Sequence, residues 1–202
     1  MASVTLHSSH AGAKVLLLFA GGSGIAPILA VLQAALSWIA QDSVPTATVP
    51  GLASAGAAPT VSLVSTSRAT FRVFLFHSVR ERHQLVAEQE LWQLAQQPNS
   101  ALRLVTFSYV PVITRVRPAQ LHSQSKRQPY IYGRLTVQHV STALAAANVS
   151  AAEASGAVAW VAGPETMVLA VAKMLDQFSV ARQHIHLLSL GLGANIVGAG
   201  PV

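Results

Sequence analysis

Apolar positions along this chain fall into two alternating patterns. Val15–Phe19 and Phe71–Phe76 are short unbroken apolar runs, the pattern of a parallel strand covered on both faces. Leu102–Ser108, Ala157–Ala162 and His184–Leu190 read as three further strands. Between them the apolar residues return at helical spacing. After the first strand they are Ile25, Ile28, Leu29, Leu32, Leu36 and Ile39, with Pro27 in the first turn, where its missing N–H costs little. Arg82–Gln97 predicts a second helix with Leu85, Leu91, Trp92 and Leu94 facing inward, stopped by Pro98-Asn99-Ser100. Val137, Val140 and Leu144 mark a short third helix, and Met167, Val168, Val171, Met174, Leu175 and Phe178 the last.

Strands alternating with helices predict an α/β fold, a doubly wound five-stranded parallel sheet. One domain, 15–190, accounts for all five strands. Ser43–Ser67 has no charge, three prolines and no sustained period, and reads as a low-complexity insertion. Residues 1–14 and 191–202 read as a flexible N-terminus and a flexible tail.

Two junctions carry candidate chemistry. Gly21-Gly22-Ser23-Gly24 turns the first strand into its helix, and Gly163-Pro164-Glu165 does the same after the fourth. A glycine turn at a helix N-terminus offers backbone N–H groups and a positive dipole end to a phosphate. Neither the dinucleotide fingerprint G-x-G-x-x-G nor a P-loop is met, because Ile25-Ala26-Pro27 follows Gly24. In a doubly wound sheet, ligands bind where the winding reverses, and the two turns are the expected place.

Composition narrows the choices. The chain has no cysteine, which excludes disulfides and thiolate metal sites. Val15–Gln41 carries no charge. A membrane span needs about 20 apolar residues, and the glycines with Pro27 divide this run into two shorter pieces. Net charge is +6, which favours anionic partners. Between Leu91 and Ala152 there is no acidic residue, while Arg103, Arg115, Arg117, Lys126, Arg127 and Arg134 all fall there. That segment is either a solvated basic loop or an anion-binding edge. It lacks the interleaved aromatics of a nucleic-acid platform. His184 and His186 have no third ligand nearby in sequence, so no metal is expected.

Four segments together resemble the nicotinamide-binding domain of the ferredoxin reductase-like flavoenzymes, including the cytochrome b5 reductase branch. They are AGGSGIAP, FLFHSVRERHQLVAEQEL, GRLT at Gly133–Thr136 and AGPETM at Ala162–Met167. The resemblance implies that NAD or NADP binds at Gly21, Gly22, Ser23, Gly24, Pro27, Gly163, Pro164 and Met167. It places Ser23 near the nicotinamide and Gly163-Pro164 on the opposite wall.

The sequence also departs from that family. Only fourteen residues precede the first strand, where the family carries a flavin-binding barrel. FAD is therefore expected only through a partner chain or upstream sequence. Ala162 replaces the cysteine of the family's C-G-P, and the aromatic chain end is absent. At the position aligned with the Ser-Arg of 2′-phosphate-selective relatives stands Tyr109-Val110, which favours NADH. Two functions follow. The chain is either the nicotinamide-binding part of a flavin-dependent oxidoreductase or a non-catalytic nucleotide-binding or interaction module derived from one.

Overall fold

The structure, a computed structural model, describes residues 15–42, 71–96, 105–115 and 130–189. The expectations for 1–14, 43–67 and 191–202 lie outside the described residues.

Strand β1 (Val15–Gly21) lies in the interior of the sheet. It pairs in parallel with β2 (Phe71–Val79) on one side and β5 (Val158–Gly163) on the other. β3 (Val105–Ile113) and β4 (Ile131–Tyr132) extend the sheet beyond β2, and β6 (Ile185–Ser189) extends it beyond β5. The sheet thus has six strands in the order β4-β3-β2-β1-β5-β6, one more than the five expected. The added strand is the two-residue β4, opposite Val112 and Ile113. Two residues are too few to leave a periodic signal.

Strand side chains alternate between two faces. Val15, Leu17, Phe19, Phe74 and Phe76 face α3 (Val137–Ala146) and α5 (Glu165–Gln177), which contribute Val140, Leu144, Val171 and Leu175. Phe19 stacks on Phe76 with ring centroids 5.0 Å apart. On the other face Leu18, Ala20, Val73, Leu75 and Tyr109 pack against Ile28, Val31, Leu91 and Trp92. These come from α1 (Ile25–Asp42) and α2 (Glu88–Gln96). Burying each such aliphatic or aromatic side chain contributes about 1.5–3 kcal/mol, and helices on both faces make the sheet doubly wound.

Several boundaries differ from expectation. Pro27 does not divide α1, because a proline in the first turn leaves the ladder intact. By length and composition alone Gly22–Ile39 could cross a membrane, yet Ile28, Val31, Leu32, Ala35 and Ile39 are buried. The second helix begins late. Glu81 and Gln84 close a capping box around the 3₁₀ turn Arg82–Gln84, and Ala87 takes a left-handed φ of 54°, so α2 starts only at Glu88. β3 runs on to Ile113, past the expected end at Ser108. Its Pro111 lies just before the short pairing with β4, on an edge where a missing N–H is tolerated.

A short helix, α4 (Ala151–Ser155), precedes β5. Glu153 accepts hydrogen bonds from the Ser150 backbone N–H and hydroxyl at 2.9 Å. It also accepts one from Arg72 Nη1 of β2 at 2.7 Å, tying α4 to the sheet.

Candidate functional site

β1 has β2 on one flank and β5 on the other, so the winding reverses between β1 and β5. Both glycine turns sit at the carboxyl ends of these strands, as the sequence predicts. Gly21 ends β1, and a 3₁₀ turn, Gly22–Gly24, leads directly into α1. Gly163 ends β5 and is followed by Pro164, the N-cap of α5.

The structure sorts the candidate residues into two groups. Gly21, Gly24, Gly163, Pro164 and Met167 are packed together. A Cβ on Gly24 would strike the Ala162 carbonyl and lie 2.9 Å from the Gly163 nitrogen. A Cβ on Gly163 would lie 3.1 Å from Gly21 Cα and 3.1 Å from Met167 Sδ. One on Gly21 would strike Met167 Sδ and come 3.0 Å from Pro164 Cδ. These glycines allow two backbones to touch.

Gly22 and Ser23 form the second group, exposed on the rim, with Pro27 half-buried in the first turn of α1. Gly22 has a φ of 54°, and among the described residues nothing beyond its chain neighbours comes within 4 Å of where its Cβ would stand. It combines a left-handed backbone with open space above it.

Two helix N-termini therefore meet at this crevice, and they differ in charge. Neither the 3₁₀ turn nor α1 has an acidic residue in its first turn. α5 begins with Glu165, whose carboxylate repels an anion. The N-terminus of α1 is the one suited to phosphate. Ala162 is fully buried in the core shared with α1, among Ile25 and Ile28.

A second rim forms where β2, β3 and β4 end. The Thr114 hydroxyl donates to Val79 O at 3.1 Å, and the Arg115 N–H donates to Arg80 O at 2.9 Å. Arg82 lies over the Tyr130 ring, 4.8 Å from its centroid, and the Tyr130 hydroxyl donates to Glu88. Arg80, Arg82, Arg115 and Arg134 are exposed here; Arg82 pairs with Glu88 at 3.8 Å and Arg115 with Glu81 at 3.7 Å. Arg103, Arg117, Lys126 and Arg127 lie outside the described residues.

The Ser-Arg position needs correction. Tyr109-Val110 is in the middle of β3, with the Tyr109 ring buried, and the residues that follow the strand are Thr114-Arg115. Tyr109-Val110 therefore carries no preference for NADH.

The apolar run that predicts the second strand stops at Phe76, yet β2 continues to Val79 and His77 lies inside it, fully buried. Its Nδ1 is 3.4 Å from Tyr109 Oη, and its Nε2 has no hydrogen-bond partner among the described residues. Burial lowers its pKa from 6.5 to about 4. Burial likewise raises that of Tyr109, reinforced by the Glu88 charge, and that of Tyr130, reinforced by its hydrogen bond to Glu88. A lone histidine closing the apolar run Phe71–Phe76 was the available signal. His186 stacks on Trp160 with centroids 4.3 Å apart, whereas His184 ends a 3₁₀ turn outside β6.

Residues 18–173 match the family model described as the oxidoreductase NAD-binding domain. Among solved structures, the CS-b5R domains of human Ncb5or in the NAD+ form are 15% identical, with a TM-score of 0.54 over 92% of this chain. A ferredoxin NADP+ reductase from Neisseria gonorrhoeae with bound FAD and NADP is 17% identical, with a TM-score of 0.53 over 93%. The cytochrome b5 reductase domain of Ulva prolifera nitrate reductase is 17% identical, with a TM-score of 0.54 over 87%. The matches span 39%, 61% and 49% of those chains respectively. No curated protein sequence matches this chain.

Proposed function

The chain belongs to the oxidoreductase NAD-binding domain family, and from that premise we propose that it is the nicotinamide-nucleotide-binding part of a flavin-dependent oxidoreductase. It passes hydride from NAD(P)H to a flavin held outside its described residues. The observation that carries this reading is the crevice between β1 and β5, where an acid-free helix N-terminus stands beside the open, left-handed Gly22. The Neisseria reductase, with bound FAD and NADP, supports a flavin partner.

The backbone N–H groups of Gly22, Ser23 and Gly24 would hold the pyrophosphate, assisted by the α1 dipole. Ser23 would face the nicotinamide, with Gly163-Pro164 as the opposite wall. Arg115 would take a 2′-phosphate, which favours NADPH over NADH. Its acidic neighbour Glu81 is 3.7 Å away, and the arginine is 66% exposed. Such a surface pair is worth at most about 1 kcal/mol, so a phosphate displaces it readily. When bound, the dihydronicotinamide supplies a hydride. This chain's residues fix its orientation, which matters because reacting atoms must approach to about 3–3.5 Å.

Gly22→Asp tests the site. Aspartate tolerates a positive φ and is favourable at a helix N-terminus, so the fold should hold while the carboxylate repels pyrophosphate. NADPH affinity measured by calorimetry should fall at least about tenfold, roughly 1.4 kcal/mol, with the melting temperature unchanged or raised. Equal affinity in both proteins would remove this turn from the site.

A further inference from the structure

Where the two glycine turns meet, one atom fills the side-chain space of both. Met167 Sδ is the nearest atom to the position a Gly21 Cβ would take, and it lies 3.1 Å from the corresponding position at Gly163. Met167 Cε follows at 3.4 Å from the Gly21 position. The thioether is thus a spacer wedged against both turns from the α5 side, in the first turn of that helix. It is half-buried, while Met174, two helical turns on, is only 6% exposed.

We propose that Met167 is an oxidation site through which a hydroperoxide, hydrogen peroxide being the simplest, loosens the nucleotide crevice. In the reaction the sulfur lone pair attacks the distal peroxide oxygen. An S–O bond forms, the O–O bond breaks and water leaves, so sulfur is oxidised by two electrons and peroxide is reduced. A soft, apolar atom becomes a pyramidal sulfoxide with a strongly polar oxygen. A side chain at either Gly21 or Gly163 would crowd the sulfur, so the space it occupies exists only because both positions are glycine. Either the turns shift to admit the oxygen, or the side chain swings out and leaves a void beside the contact of Gly21 with Gly163. Both routes shift the 3₁₀ turn that presents Gly22. The effect on ligand rests on the nucleotide-binding reading above, whereas the effect on stability does not.

The test treats the full chain with hydrogen peroxide and reads each methionine peptide by mass spectrometry. Met167 should oxidise ahead of Met174. Oxidation should lower the melting temperature by at least about 2–4 °C and weaken NADPH binding about tenfold. Methionine sulfoxide reductase should reverse both changes. Met167→Leu should lose the response to peroxide, each protein being compared with its own untreated sample. Full sulfoxide at Met167 with unchanged melting would overturn the proposal, as would Met174 oxidising first. Failure of the untreated protein to bind NADPH would instead sink the nucleotide reading and leave the melting comparison to decide the spacer.

Discussion

Acidification from pH 7.5 to 4.5 should weaken this protein through one buried side chain. His77 has no exposed surface and sits in the register of β2 between Ala20 of β1 and Pro111 of β3. Among the described residues only one of its nitrogens has a hydrogen-bond partner, Tyr109 Oη at 3.4 Å. Taking up a proton there means burying a charge, which lowers the pKa from 6.5 to about 4. The unfolded chain therefore binds more protons than the native state between those values. Stability is complete above about pH 6.5, falls as pH drops, and stops falling on this account below about pH 4. At 1.36 kcal/mol per unit, the whole transition is worth about 3 kcal/mol. Most of it is spent by pH 4.5. With a urea m-value of about 2 kcal/mol/M, the midpoint should fall by about 1 M. The control is His77→Gln, which is less stable at neutral pH but has no imidazole to protonate. Other histidines titrate equally in both proteins, so the stability gap between them should narrow on acidification. Urea curves at both pH values measure it. A gap that stays constant would refute the assignment to His77.

Three other outcomes are expected. Gly24→Ala drives a Cβ into the Ala162 carbonyl; because both sides are backbone, it should cost about 1–3 kcal/mol, read by thermal melting. The Ser150 N–H, Arg72 and the Ser150 hydroxyl together hold the Glu153 pKa down to about 2 from 4.5. The melting difference between wild type and Glu153→Gln should thus be full above about pH 4.5 and shrink as pH falls toward 2, and a pH-independent difference would count against the clasp. Arg115→Ala should weaken NADPH at least about fivefold, roughly 1 kcal/mol, while leaving NADH within twofold. Equal losses for the two nucleotides would dismiss Arg115 as the 2′-phosphate contact.

The parts of this fold that sequence reveals are those with one dominant local cause. The apolar runs of β1 and β2 and the glycine turns at Gly21 and Gly163 each answer to a single constraint, so their places and their meeting at the winding reversal could be read in advance. What escaped depended on partners far away in sequence. β4 exists only because Ile131 and Tyr132 find Val112 and Ile113. β3 extends through Pro111 because β2 continues beside it as far as Val79. The start of α2 was hidden by a capping box that competes locally with helix continuation. His77 looks like a terminator because polarity signals exposure unless its neighbour across the sheet, Tyr109 with Trp92 packed on it, is known.

The position of β1 also bears on how the chain is made. One of its edges is completed by β2, but the other waits for β5, with Leu16 opposite Val158. Translation proceeds at about 5–20 residues per second, so about 7–28 seconds separate synthesis of Leu16 and Val158. Over that interval an apolar strand, Leu16–Ala20, has an unpaired edge, the feature that invites pairing with another chain. Pairing so distant in sequence also slows folding. The crevice built from the ends of β1 and β5 cannot exist until that closure is made, so a ligand of that crevice added to a nascent chain arrested before β5 has nothing to stabilise. Helper proteins that shield an open sheet edge would govern the yield of folded chain more than any ligand of that crevice supplied early.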